Sequence, residues 1–167
     1  MEHYLEHHRD AHARELDYFR LRRLTDEEAI STAALCELPS QKRHPHQGRI
    51  PRQALEESRS RLVGNITALR ACESFDELHE LVNHVIRPIP MIGPLVVYDT
   101  SLRIGARFGL EPEVVYLHAG TRQGARRLGL AWRRETLLLD ELPPDLQGLS
   151  AREAEDVLCI YEDWFTH

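Results

Sequence analysis

Three Ser/Thr-x-x-Glu signatures punctuate the chain, at Thr25…Glu28, Ser74…Glu77 and Ser150…Glu153. In such a box the hydroxyl accepts from a backbone N–H three residues on, and the Glu carboxylate reaches back to the first N–H, so each marks a helix's first turn. The three predict helices at about 26–37, 75–86 and 151–165. Residues 3–23 have no strong breaker and place Tyr4, His8, His12, Leu16 and Phe19 near helical spacing, which predicts a first helix. Pro51, suited to a first helical turn, opens another that runs to about Ala71. Segments 103–110 and 122–130 echo one another and stop at Gly109 and Gly129, the residue type of a left-handed C-cap. The apolar patches 94–98 and 114–117 are short and lie beside helical patterns. The expected fold class is all-α.

The length of 167 residues suits one compact helical domain, 1–167. A hydrophobic fraction of 42% is too high for a wholly disordered chain, and no apolar run approaches the ~18 residues of a membrane span. The first residues lack the basic and apolar regions of a signal peptide, and Cys36, Cys72 and Cys159 are odd in number and far apart. The expectation is a reducing cytoplasm, with no disulfide frame, no Cys-based zinc site and no cofactor. His3, His7, His8 and His12 have i,i+4 spacing that a divalent ion could use, but exposed terminal histidines explain them more simply.

The net charge of −6 is unevenly spread. Basic residues outnumber acidic ones by five over residues 38–70 and again over 86–134, while 135–167 carry an acidic excess of eight. All but Lys42 of the 21 basic residues are arginines, which suit bidentate contact with phosphate. Residues 38–50, LPSQKRHPHQGRI, read as a basic loop.

Between the basic blocks, Ile89-Pro90-Met91-Ile92-Gly93 joins two apolar helices through a tight turn, and Pro94 follows at a first-turn position. A glycine there permits close backbone approach, and the following helix N-terminus offers N–H groups to a phosphate oxygen. These residues resemble the helix-hairpin-helix motif of DNA-binding proteins, with the motif region at about 75–109. The downstream order is also similar to the helix-hairpin-helix superfamily of base-excision DNA glycosylases: a helix stopping at Gly109, a Pro-containing link, and a helix ending Arg127-Leu-Gly-Leu130. The resemblance implies an all-helical enzyme that extrudes a base from double-stranded DNA and hydrolyses its glycosidic bond. At the family's catalytic Asp position this chain has His118, and the segment between Gly93 and Gly109 is about three residues longer than is usual. The run from Ile92 to Arg122 also resembles small bacterial phage-defence glycosylases acting on modified cytosines, such as glucosylated hydroxymethylcytosine in viral DNA.

Asp99 lies inside the second hairpin helix, on the side of Leu95 and Leu102. As an anion it would stabilise an oxocarbenium-like sugar, with His118 orienting water or protonating the leaving base. The competing reading is an exposed Asp99–Arg103 ion pair along one helix. Tyr98 and Tyr116 are candidates for stacking on an extruded base, although packing in the core is the better explanation of each taken separately. Arg87, Ile92, Gly93, Arg103, Arg122, Arg126 and Lys42 form the candidate DNA-binding set. Family members that also cleave the strand carry a hairpin lysine where this chain has Pro94 or Leu95, so the resemblance implies a monofunctional enzyme leaving an abasic site. Two alternatives remain open: a non-catalytic helix-hairpin-helix module that grips phosphates, and a helical protein-interaction or toxin–antitoxin partner.

Overall fold

The computed structural model describes residues 2–37, 42–44 and 47–165, so the expected loop at 38–50 is described only in part. The chain is mostly helical. Its elements are α1 (Glu2–His7), α2 (Arg9–Arg20), α3 (Asp26–Ala34), α4 (Arg52–Gly64), α5 (Ile66–Ala71), α6 (Phe75–Ile86), α7 (Pro94–Phe108), β1 (Val115–Tyr116), α8 (Ala119–Arg127), β2 (Thr136–Leu137) and α9 (Ala151–Ile160). None of the described helices is long and apolar enough to cross a membrane.

The helix starts follow local chemistry. Thr25 and Ser150 close complete capping boxes with Glu28 and Glu153. At Ser74 only half the box forms, because the Glu77 carboxylate takes the N–H of Glu73 instead. Gly109 and Gly129 sit in the left-handed region with φ of 75° and 70°. Two long expected helices are interrupted. The first breaks at His8, where the next N–H partner is three residues back rather than four. The helix from Pro51 breaks after Gly64, where Asn65 turns its side-chain amide onto the Arg61 carbonyl at 2.9 Å and so competes with the helical ladder.

Two compact units result, residues 1–11 with 112–167 and residues 12–111, and the division falls within α2. In the second unit α3 packs against α4 and α7, and α6 against α7 and α4. Its core includes Phe19, Ile30, Leu55, Leu62, Leu78 and Ile104. Each such side chain contributes roughly 1.5–3 kcal/mol by leaving water. Asp26, in the first turn of α3, accepts from Arg70 of α5 and Arg107 of α7, each at 2.5 Å. Burial pushes its carboxyl upward, yet the two arginines outweigh that and hold it below the usual carboxylate range.

In the first unit β1 and β2 form one antiparallel pair, Val115 opposite Leu137 and Tyr116 opposite Thr136. They leave the all-α class intact. Here α8 lies against α9, and glycine decides how closely. A Cβ on Gly124 would collide with the backbone carbonyl of Leu158. Tyr4 of α1 is buried in the same core and donates to Asp156 of α9 at 2.8 Å.

Gly124→Ala should therefore destabilise the protein by about 1–3 kcal/mol in urea unfolding, the cost of an overpacked contact that backbone cannot relieve. The Asp26 contribution should also fade in acid: a carboxyl depressed in the folded state stabilises above its unfolded pKa near ~4 and is lost as pH falls through the folded value. The stability difference between wild type and Asp26→Asn should shrink progressively below about pH 4.

Candidate functional site

The middle of α7 holds the most unusual chemistry in residues 12–111. Arg103 is 3% exposed, and a guanidinium so deeply placed must be compensated by carboxylates. Its Nε donates to Glu15 Oε1 at 2.9 Å, which brings α2 to α7. Burial pulls the Arg103 pKa down; the charges of Asp99, Glu15 and Cys36 more than offset it and leave the group above its ordinary value. Buried Cys36, next to the same arginine, is pushed up to about 11, chiefly by burial.

Beyond α3, residues 42–44 and 47–50 lie against this cluster. Cys36 adopts φ 54° and its carbonyl accepts the His44 N–H at 2.8 Å, while Glu37 and Arg43 form an antiparallel bridge. Arg43 Nη1 donates to the Ile50 carbonyl at 2.8 Å. These contacts hold Gln47, 1% exposed, so that its Nε2 donates to Asp99 Oδ2 at 2.5 Å. His44 Nε2 lies 3.8 Å from Glu15 Oε2. Asp99 itself is half-buried. Among the described residues, Gln47 Oε1, Thr100 Oγ1 and Arg103 Nη1 are buried without a hydrogen-bond partner. Two of these residues act on Asp99 directly, Gln47 through its amide and Arg103 through its charge.

Several expected site residues have other work. Tyr98 is 1% exposed, edge-on to Phe75 and His79, so it has no face to offer a base. Tyr116 is half-buried in β1. Arg103 is spent on Glu15 and is no phosphate contact, and its burial equally overturns the exposed Asp99–Arg103 pair. Arg122 donates to the carbonyls of Leu117, Trp132 and Arg134 at 2.8, 2.8 and 3.0 Å, clasping the chain before β2 instead of a phosphate. Ile92 is 1% exposed and plugs the turn between α6 and α7 from within.

Gly93 has φ −96°, which any residue adopts; the left-handed residue of the turn is Met91, with φ 72°. A Cβ at Gly93 would meet nothing within 4 Å, so the N-terminus of α7 is open there. Arg87 is exposed and uses Nη1 to hold the Ile92 carbonyl at 3.0 Å. Arg126 and Lys42 are exposed.

His118 has a partner set of its own. It is the N-cap of α8, 5% exposed, with Nε2 2.5 Å from Glu155 Oε1, and Thr121 Oγ1 donates to that same oxygen at 2.6 Å. Asp99 and His118 belong to different compact units. The terminal histidines pack as aromatics: His3 Nδ1 lies 2.7 Å from the Tyr161 hydroxyl, and His3 stacks on His7 with centroids 4.4 Å apart.

Glu15, Cys36, His44 and Gln47 are the site residues that pattern reading misses. Glu15 alone left a trace, since it stands four residues before buried Phe19 on the same helical face. Gln47 sits in an aperiodic loop and left none. Comparison of the chain with family models, with curated proteins and with solved structures finds no match.

The two roles of arginine separate in solution. Arg103→Ala should cost roughly 3–5 kcal/mol in chemical denaturation by stranding the Glu15 carboxylate, whereas exposed Arg126→Ala should change stability by less than about 0.5 kcal/mol.

Proposed function

We propose that the chain is a monofunctional DNA glycosylase whose acting carboxylate is Asp99. The observation that carries this reading is the setting of that group: a half-buried carboxylate held by the buried Gln47 amide and acted on by the charge of buried Arg103. A group locked before substrate arrives has little reorganisation left to do when charge develops, which is where electrostatic catalysis gains most.

In the proposed reaction the bond between C1′ and the base nitrogen lengthens and positive charge spreads over the sugar ring. Asp99 faces that charge and takes a proton from the water that attacks C1′. The electron pair of the broken bond leaves with the base, which takes up through solvent the proton that Asp99 received, and an abasic sugar remains. The sole lysine of the chain is Lys42, so no hairpin amine is present to form an imine with the sugar, in keeping with hydrolysis alone. The helix pair α6–α7 and its turn serve as the helix-hairpin-helix, with a backbone phosphate approaching at Gly93 and Arg87. Exposed Lys42 adds charge for DNA. The substrate is a modified base in duplex DNA, glucosylated hydroxymethylcytosine being the first to try, in a reducing cytoplasm.

The deciding measurement is abasic-site formation on unmodified, uracil-containing and glucosylated phage DNA. Asp99→Asn should keep the fold and DNA binding and lose base release by ~2–4 kcal/mol of transition-state stabilisation. Gly93→Ala should leave thermal stability unchanged, since its Cβ meets nothing, and should weaken DNA binding several-fold by crowding the phosphate. Salt-sensitive binding with no abasic sites on any substrate would reduce the protein to a DNA-gripping module.

A further inference from the structure

The buried pair in residues 112–167 has a third member. His118, Glu155 and Cys159 each present one donor atom, an imidazole nitrogen, a carboxylate oxygen and a thiol sulfur, and these atoms all lie within 4.8 Å of one another. We propose that His118, Glu155 and Cys159 form a binding site for one zinc ion.

The backbone assembles the three. Glu155 and Cys159 are one turn apart on α9, on the side that meets α8, and His118 caps the N-terminus of α8. Gly120 lets the thiol reach that corner: a Cβ there would stand 2.6 Å from Cys159 Sγ. Zinc bonds of ~2.0–2.3 Å in a tetrahedron place donors roughly 3.3–3.8 Å apart, so side-chain rotations of about an ångström bring this set onto one ion. The ion replaces the direct contact between His118 Nε2 and Glu155 Oε1 as the two donors move apart, any proton on them is released to solvent, and the Cys159 thiol gives up its own proton to bind.

Donor chemistry selects the metal. Calcium and magnesium ask for oxygen throughout, whereas a mixed nitrogen, oxygen and sulfur set suits zinc. Thr121 is fully buried and donates to Glu155 Oε1, the kind of outer contact that orients a metal-binding carboxylate. Cys159 is half-buried, which gives the ion a way in, and three protein ligands leave the fourth position to water.

Cobalt(II), a spectroscopic stand-in for zinc, provides the test. Protein stripped with chelator and kept reduced should take up one cobalt per chain with a thiolate-to-cobalt charge-transfer band in the near ultraviolet. Zinc should displace it and raise the melting temperature. Cys159→Ser, which preserves shape, should lose the band and the zinc-dependent stabilisation while its far-ultraviolet circular dichroism is unchanged. His118→Ala and Glu155→Gln should weaken uptake at least tenfold. The site is refuted if wild type shows no such band, if the band survives in Cys159→Ser, or if uptake is abolished only by replacing His3 and His7.

Discussion

A guanidinium taken out of water dictates much of the arrangement in residues 12–111. Arg103 stands on the inner face of α7, and the loss of its hydration has to be met by carboxylates at short range. One comes from α2, as Glu15, and another from α7 itself, as Asp99. Residues 42–44 and 47–50 then close over them, held by the His44 N–H on the Cys36 carbonyl and the Arg43 guanidinium on the Ile50 carbonyl. Gln47 and its amide contact with Asp99 depend on that closure. Arg103 Nη1 and Gln47 Oε1 stay buried without a hydrogen-bond partner among the described residues.

In residues 112–167 the controlling constraint is distance between helices. Gly120 and Gly124 remove side chains where α8 meets α9, which lets the backbone and thiol of α9 reach the first turns of α8. Close approach in turn buries His118 and Glu155 together, with Thr121 completing the carboxylate's contacts. Arg122, the residue after Thr121, ties this part of α8 to neighbouring chain through three carbonyls. An arginine that looks like a phosphate ligand on a charge count is thus a strut for the chain before β2.

Helix boundaries were legible because they are local events. A hydroxyl and a carboxylate three residues apart, or a glycine after a periodic run, act on N–H and C=O groups within one turn, and the boxes at Thr25 and Ser150 and the stops at Gly109 and Gly129 form as their chemistry requires. Asn65 broke its helix for an equally local reason, a side-chain amide competing for a carbonyl, which the apolar pattern around it masked. The candidate site was legible only in its members on α7. Asp99 stood out by its place on an apolar face, while Tyr98 on the same helix could be taken for a stacking platform because periodicity does not say which apolar contacts are filled.

The amino-acid order by itself determined that this chain is helical, where most helices begin, and that a tight apolar-plugged turn joins α6 to α7, since each follows from hydrogen bonding and sterics over a few residues. Tertiary structure alone decided which charges are spent and which remain available. Arg103 meets Glu15 across 88 positions, Gln47 meets Asp99 across 52, and Thr121 meets Glu155 across 34. Charge acts through space and is strengthened by burial, and neither separation nor burial of such distant groups is written in the local pattern.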